Sequence, residues 1–260
     1  VDQWRAWREW RTERGGLDMG AFCQKFGSAT ASVHTDGDAD ADDDVETQSV
    51  AEFLHSAFDN EEGVVMAKEG SQHRYLKDWH FARDFPDYSA YETPHLFADD
   101  WMDRWWRQHR SAWNAKRNSA TCPEDDYRFV YIGPLGSRTK LHRDVFRSFS
   151  WSVNVIGEKQ WILFPPTEED KLQPLSGGDI PIDVTAYDEA RYPNVRSARR
   201  LVVRQRAGEA IFVPSGWFHQ VLNVSEVVVS INQNFFNRFN VKKVTQYILK
   251  EMDRTRAAIE

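Results

Sequence analysis

The stretch from Tyr131 to Pro166, "YIGPLGSRTKLHRDVFRSFSWSVNVIGEKQWILFPP", decides the fold class of this chain. It consists of short runs rich in β-branched and aromatic residues, separated by Gly, Pro and polar turns. Similar runs continue to residue 237, among them "EAIFVPSG", "FHQVLNVS" and "VVVSINQNFF". Many short strands with such punctuation predict an antiparallel β-sandwich or barrel. We interpret "VIGEKQW" around Gly157 and "QRAGEAIF" around Gly208 as two β-hairpins.

Helices are predicted on both sides of this β region. Before it, Trp4, Trp7 and Trp10 recur at helical spacing, and "VETQSVAEFLHSAF" and "DDWMDRWWRQHRSAWNAKRN" have the pattern of amphipathic helices. After it, "VKKVTQYILKEMDRTRAA" predicts a final helix. The acidic run Asp36–Glu46 predicts a solvated loop, because it lacks the Gly and the closing Glu of a calcium-binding loop. The weakly periodic segment 167–200 is interpreted as an insertion.

The length of the chain, 260 residues, suits one large domain. We expect a single domain over 1–260, with a helical and irregular part at 1–126, a β core at 127–237 and a C-terminal helix at 238–260. Apolar residues make up 41% of the chain, which is typical of a folded protein and not of a disordered one.

Charge and cysteine content restrict the expected partners and the expected cellular compartment. The formal net charge of −7 gives no reason to expect a nucleic acid or an anionic lipid surface as partner. No apolar run is long enough for a membrane span, and the first residues lack the apolar core of a signal peptide. Cys23 and Cys122 make no disulfide framework, which favours a reducing compartment and hence the cytoplasm. The chain starts without Met, so we expect residues to precede Val1 in the natural protein.

Three polar residues in the β region could bind a metal. His142 and Asp144 are two residues apart, so in an extended strand their side chains point the same way. His219 opens another strand-like run after "EAIFVPSGWF". Two imidazoles and one carboxylate that leave coordination positions open are the ligands of non-haem Fe(II) oxygenases. Each His alone could equally be a hydrogen-bonded core residue, and only the joint pattern favours a metal; the other six histidines are interpreted as surface or packing residues.

Lys159 indicates a second ligand. It follows the turn at Gly157 and enters the apolar strand "QWILFPP", where an ammonium group is costly unless it is paired or solvated. An anionic cosubstrate would pair with it, although the side chain could also extend into water. Thr139 lies three residues before His142, and its hydroxyl could bind the same anion or the loop backbone.

Read together, these residues resemble a known family. The motifs "TKLHRD", "GEKQW" and "GEAIFVPSGWFH" are similar to those of the JmjC 2-oxoglutarate-dependent oxygenases. "YLKDWHFARDFP", "DDYRFVYIGPLGS", "FRSFSWSVNVIGEKQWILFPP" and "SINQNFFN" further resemble the subgroup called jumonji-domain-containing protein four, a lysyl hydroxylase that acts on a translation termination factor. The resemblance covers about Tyr75 to Asn237.

The resemblance implies a mainly β fold, the double-stranded β-helix of jelly-roll or cupin-like proteins, with flanking N- and C-terminal helices. It implies that His142, Asp144 and His219 hold Fe(II). It further implies that 2-oxoglutarate chelates this metal through its keto acid end and that its far carboxylate meets Lys159 and Thr139.

Other residues receive roles by the same resemblance. Tyr75 and Asn234 are the further candidates for contact with 2-oxoglutarate, although Tyr75 could simply be a core residue. By period-2 alternation Asn232 shares a face with Asn234, and Ser152 and Asn154 share a face on "SWSVNV", so these three are further pocket candidates. Trp151 and Trp161 are expected to be core residues.

The implied reaction is hydroxylation of a protein lysine with O₂, 2-oxoglutarate and Fe(II), giving succinate and CO₂ as co-products. The implied partner is a protein substrate, eukaryotic peptide-chain release factor one, with no nucleic acid or membrane. Alternatives are an N-methyl-lysine demethylase of the same family, a non-catalytic metal-binding cupin module, and a cupin that acts on a small molecule without 2-oxoglutarate. One departure concerns the substrate, because the basic residues around the metal motif would repel a cationic lysine unless acidic partners offset them; these are Arg138, Lys140, Arg143 and Arg147.

Overall fold

Two antiparallel sheets face each other in the computed structural model of the protein, which describes residues 1–36, 44–114 and 127–259. The strands are β1 (Thr30–Thr35), β2 (Asp44–Ser49), β3 (Phe58–Glu61), β4 (Val64–Ala67), β5 (Arg74–Trp79), β6 (Arg128–Pro134), β7 (Arg138–Arg143), β8 (Phe149–Ile156), β9 (Lys159–Phe164), β10 (Leu201–Gln205), β11 (Ala210–Val213), β12 (Phe218–Asn223) and β13 (Val227–Phe235). The α-helices are α1 (Arg5–Glu9), α2 (Met19–Phe26), α3 (Val50–Ala57), α4 (Phe81–Asp84), α5 (Trp101–Asn114), α6 (Glu169–Leu172) and α7 (Val241–Ile259). None of these helices combines the length and the apolar content that crossing a bilayer requires.

The strand order is that of a double-stranded β-helix. The large sheet runs β11-β8-β13-β6-β5-β1-β2 and the small sheet runs β10-β9-β12-β7. β3 and β4 form a separate hairpin. Consecutive strands of the core alternate between the two sheets, except that β9 and β10 pair within the small sheet, so the chain winds around a common interior. The predicted mainly β, cupin-like fold with flanking helices is confirmed.

Both predicted hairpins of the core are wrong. β8 pairs with β11 and β13, whereas β9 pairs with β10 and β12, so the turn at Gly157 carries the chain from one sheet to the other. The turn at Gly208 does the same between β10 and β11. A Gly with positive φ, +74° at Gly157, lets the chain reverse but does not decide whether the flanking strands pair. Whether the flanking strands pair depends on which face each strand buries. The local sequence does not determine this.

The large sheet separates an outer apolar core from the barrel interior. Trp151 of β8 is fully buried and packs with Val229 and Ile231 of β13 and with the N-terminal helices. Trp10, at the end of α1, lies 5.3 Å from Phe22 of α2, ring centroid to centroid. Because side chains alternate along a strand, Ser230, Asn232 and Asn234 then face the interior. The outer core therefore fixes the large sheet and leaves its other face for polar residues.

The N-terminal third contains more strand than the sequence indicated. β1, β2 and β5 extend the large sheet, so the first part of the predicted helix, "VETQS", is a strand, whereas its remainder forms α3. Helix α3 begins only at Val50, because the Ser49 hydroxyl accepts from the Glu52 N–H at 3.2 Å and the Glu52 carboxylate accepts from the Ser49 N–H at 3.0 Å. This capping box sets the start of the helix. Most of the acidic run (37–43), the end of the helix predicted from residue 99, and Cys122 lie outside the described residues.

We predict that Gly157→Ala destabilises the protein far more than Gly177→Ala. Both glycines have positive φ, +74° and +73°, so both substitutions strain the backbone. An added Cβ at Gly157 would lie 2.1 Å from the Val227 carbonyl oxygen, whereas one at Gly177 has nothing within 4 Å. The free energy of unfolding, measured by chemical denaturation, should fall by about 1–3 kcal/mol more for Gly157→Ala. Equal losses would show that the approach of Val227 does not constrain this corner.

Candidate metal and cosubstrate site

The three predicted metal ligands come together at one end of the barrel interior. β7 and β12 are neighbours in the small sheet, and His142 lies directly opposite His219 in their register. The two imidazole centroids are 4.1 Å apart. Asp144 follows the end of β7, and one ligand atom from each of the three residues lies within 4.8 Å of the others. A single ion can contact all three.

Neighbouring groups orient these side chains. The Nδ1 of His142 lies 2.8 Å from the carbonyl oxygen of Lys140, so this nitrogen donates to the backbone and Nε2 is left to bind a metal. The Ser150 hydroxyl donates to Oδ2 of Asp144 at 2.8 Å. The His219 ring stacks on Trp161 with centroids 5.7 Å apart. These contacts fix the ligands before any ion binds.

The electrostatics suit a divalent ion. Burial, with a smaller contribution from the neighbouring His142, lowers the pKa of His219 to about 4. His219 is therefore neutral at pH 7, which is the form that binds a metal. Two imidazoles and one carboxylate fit Fe(II) and leave other coordination positions for further ligands.

A β-bulge turns Thr139 toward the same interior. In a regular strand, residues three apart point to opposite faces. Here His142 lies opposite His219 but Thr139 lies opposite Val221, so β7 uses three residues where β12 uses two. Thr139 thus faces the interior beside Val221, on the line from the metal ligands toward Lys159.

Lys159 lies deeper in the barrel and is the strongest sign of an anion site. Only 3% of the residue is exposed, and its Nζ donates to the Ser230 hydroxyl at 2.6 Å. None of the described carboxylates forms an ion pair with it. Burial lowers its pKa to about 7. A buried ammonium without a counter-ion is costly, so the interior is suited to receive a carboxylate there.

Tyr75 lies at the Lys159 end of the interior. It is buried and lies near Asn223, which is opposite Lys159 in the β9–β12 register. Burial raises the pKa of Tyr75, so its hydroxyl stays protonated and able to donate. Gly133 keeps space open beside them, because a Cβ there would lie 2.6 Å from both Nδ2 of Asn223 and Cδ2 of Tyr75.

Sequence reasoning missed Ser230 and Asn223 at this end. Ser230 has the same strand parity as Asn234, so period-2 alternation could have found it. Nothing in the local sequence signals Asn223, since its position depends on the pairing of β12 with β9.

Asn234 lies at the metal end of β13. Its Nδ2 donates to the Ser148 hydroxyl at 2.9 Å, and it lies opposite Ser150 in the register. It is four residues from Ser230, or roughly 13 Å along the strand. Its contact with 2-oxoglutarate therefore stays a prediction, and such a contact would be near the metal rather than near Lys159. Ser152 and Asn232 lie between the two ends, opposite each other.

The two tryptophans expected in the core are both buried, in different places. Trp151 belongs to the outer core of the large sheet. Trp161 lies in the barrel interior with Leu163 and Val221, where it contacts His219. It therefore lines the site as well as packing it.

Two of the four basic residues near the metal motif pair with carboxylates of the fold. Two of them form ion pairs and a third lies over an aromatic ring: Arg138 with Asp36 and Asp183, Arg143 with Glu169, and Arg147 over Tyr247. The acidic partners that a cationic substrate would require are present. The repulsion expected from the sequence is thereby reduced.

Comparison with known proteins agrees with this geometry. The model of the Cupin-like domain family matches residues 1–241. The chain is 36% identical to "Arginine-specific demethylase JMJ20" of Arabidopsis thaliana, over 100% of this chain and 56% of that protein. It is 35% identical to "2-oxoglutarate and iron-dependent oxygenase JMJD4" of Gallus gallus (97% of this chain, 56% of that protein) and 34% identical to the Homo sapiens protein of that name (96% and 57%).

The chain thus spans just over half the length of these relatives. The predicted resemblance to the JmjC oxygenases and to the jumonji-domain-containing protein four subgroup is confirmed. The family model matches, and JMJD4 proteins of several organisms are similar to this chain. The chain belongs to the cupin-like JmjC family, and its JMJD4 relatives are named 2-oxoglutarate and iron-dependent oxygenases.

Proposed function

We propose that this protein is an Fe(II)- and 2-oxoglutarate-dependent oxygenase that hydroxylates a lysine side chain of a protein. The observation that carries the proposal is the layout of the barrel interior. A cluster of two imidazoles and one carboxylate lies at one end, and an unpaired buried ammonium lies further along the same interior. A dicarboxylate whose keto acid end binds the metal would place its other carboxylate toward that ammonium.

The residues of the chain have distinct tasks in this proposal. His142, Asp144 and His219 hold Fe(II) and leave positions open for 2-oxoglutarate and O₂. When bound, the metal and cosubstrate supply oxidative decarboxylation to succinate and CO₂, with one oxygen atom passing to the substrate.

The remaining site residues bind the cosubstrate and exclude water. Lys159 pairs with the far carboxylate of 2-oxoglutarate, and the hydroxyls of Tyr75 and Thr139 donate to it. Asn234 contacts the cosubstrate near the metal. Trp161 and Val221, buried between the two ends, keep bulk water from the channel.

We further propose that the substrate is a translation termination factor, eukaryotic peptide-chain release factor one, and that the protein acts in the cytoplasm. The resemblance to the lysyl hydroxylase subgroup supports this choice, as does the similarity to the JMJD4 oxygenases. The ion pairs that neutralise Arg138 and Arg143 make a cationic target acceptable at the rim.

A second candidate is removal of N-methyl groups from lysine or arginine. It is supported by the Arabidopsis thaliana relative, which is named an arginine-specific demethylase and aligns with the whole chain. The metal and cosubstrate residues serve both reactions, because hydroxylation of an N-methyl carbon leads to loss of formaldehyde. The two candidates differ only in which carbon of the substrate lies near the metal.

The substrate is tested with peptides from the release factor, incubated with Fe(II), O₂ and 2-oxoglutarate. We expect one lysine peptide to gain the mass of one oxygen atom, with one succinate formed for each product. Formaldehyde release from methylated lysine or arginine peptides, without a hydroxylated product, would favour demethylation. The proposal fails if metal-loaded protein neither modifies any of these peptides nor consumes 2-oxoglutarate.

The metal site is tested by Ser150→Ala. Removing the hydroxyl that donates to Asp144 frees this carboxylate to rotate, so the Kd for Fe(II) or Mn(II) should rise about 10–100-fold. Ser137→Ala is the matched control, since this buried hydroxyl donates to the Pro134 carbonyl far from the metal ligands. Anaerobic metal titration measures both variants, and equal affinities would show that the Ser150 hydroxyl does not orient a metal ligand.

The cosubstrate clamp is tested by pH. Because burial lowers the pKa of Lys159 to about 7, the empty site loses its positive charge as pH rises through that value. Binding a carboxylate above this pH requires uptake of a proton, so the affinity for 2-oxoglutarate should fall by up to about tenfold per pH unit. The Kd in Mn(II)-loaded protein, measured from about pH 6 to pH 9, reports this slope. Lys159→Met should bind 2-oxoglutarate weakly, and its Kd should not depend on pH in this range. A pH slope identical to that of the wild type would exclude Lys159 as the clamp.

A further inference from the structure

Strained backbone occurs at two places beside the candidate site. Among the described residues, four that are not Gly have positive φ: Glu62, Asp78, Phe146 and Arg147. Glu62 lies in the tight turn between β3 and β4, where such a conformation is common. Phe146 and Arg147 lie two and three residues after the metal ligand Asp144. Asp78 lies within strand β5, where a positive φ is unusual and has to be stabilised by its surroundings.

A bulge in β5 gives Asp78 this conformation. Pairing with β6 passes from Leu76 opposite Ile132 to Trp79 opposite Val130, so β5 uses three residues where β6 uses two. Tyr131 is the residue of β6 within this interval. The bulge turns the Asp78 carboxylate toward Tyr131, whose hydroxyl donates to Oδ1 at 2.5 Å.

Tyr131 connects Asp78 to the site. Its ring lies 5.6 Å from Nζ of Lys159 and 5.9 Å from the ring of Tyr75, centroid to centroid. Burial raises the pKa of Tyr131, and the charges of Asp78 and Asp144 contribute in the same direction. The phenol is therefore protonated and close enough to the metal ligand Asp144 to be influenced by its charge. Asp78 is thus held by a side chain that lines the interior.

Asp78 is also a charge that the fold does not neutralise. It is exposed, and it makes no ion pair with a Lys, Arg or His of the described residues. In contrast, Arg138 and Arg143 near the same site each have a carboxylate partner. The rim therefore combines neutralised cations with one oriented and unpaired anion, which is complementary to a cationic ligand.

We propose that Asp78, held by Tyr131, binds the positively charged end of the substrate side chain and so selects lysine or arginine over neutral residues. This inference rests on the proposed oxygenase function, since it assigns the substrate-binding carboxylate of the same site. The backbone strain at Asp78 places the carboxylate at the channel wall, and the Tyr131 hydroxyl keeps it from rotating into solvent. Asp78 is a specificity residue and takes no part in holding the metal or 2-oxoglutarate.

The test measures peptide binding without turnover. Three peptides from the release factor, identical except for Lys, Arg or norleucine at one position, are titrated into Zn(II)-loaded protein with 2-oxoglutarate. We expect wild-type protein to prefer the Lys or Arg peptide to the norleucine peptide. Asp78→Asn keeps an acceptor for Tyr131 but removes the charge, and should weaken binding of the preferred peptide about tenfold while leaving the norleucine peptide unchanged.

Glu62→Gln is the matched control, since it removes another exposed carboxylate at positive φ, and it should bind all three peptides as the wild type does. The inference is overturned if Asp78→Asn keeps the wild-type preference, or if the wild type has none. Circular dichroism of Asp78→Asn, together with its Kd for 2-oxoglutarate, distinguishes loss of recognition from loss of fold.

Failure of the proposed function would give a different result. In that case the iron-loaded wild type would consume no 2-oxoglutarate with any peptide, whatever the effect of Asp78→Asn on binding. A wild type that hydroxylates the Lys peptide, with a variant that does so at an unchanged KM, would overturn only the assignment of Asp78.

Discussion

The direct pairing of β7 with β12 is the constraint on which the site depends. Adjacent antiparallel strands put opposite residues on the same face, so this register alone places the His142 and His219 rings 4.1 Å apart. Asp144 lies beside the two imidazoles because it is the first residue after β7, which ends at Arg143. A shift of one residue in either strand would turn one imidazole to the outer face, where Leu141 and Phe218 pack against the 165–198 segment. The 76 residues between His142 and His219 are therefore organised by backbone hydrogen bonds rather than by the metal.

The interior is a polar channel inside an apolar shell. The outer face of the large sheet packs on the N-terminal helices, and this burial stabilises a fold whose inner face includes Ser230, Asn232 and a buried Lys159. An uncompensated ammonium in that channel lowers stability unless an anion binds. Binding of 2-oxoglutarate would remove the cost of burying the Lys159 ammonium without a counter-ion. This relief would contribute to the free energy of binding.

The sequence was most informative where strand alternation decides the outcome. His142, Asp144 and the inward face of Asn232 and Asn234 follow from a period of two. The sequence was least informative where pairing between distant segments decides which strands are neighbours. The local sequence at Gly157 is the same whether the turn closes a hairpin or joins two sheets. The two bulges, at Thr139 and at Asp78, also change which face a residue occupies, and they depend on register with a neighbouring strand. Helix α3 was predicted too early because the apolar pattern of "VETQSV" suits a strand beside β1 equally well.

The most direct test of the central claim is a crystal structure of the protein with Mn(II) and 2-oxoglutarate, with the metal located by anomalous scattering. We predict one metal peak about 2 Å from Nε2 of His142, Nε2 of His219 and a carboxylate oxygen of Asp144. We also predict that 2-oxoglutarate extends from the metal to Nζ of Lys159. A metal bound elsewhere, a fourth protein ligand that closes the site, or a cosubstrate that does not reach Lys159 would contradict the central claim.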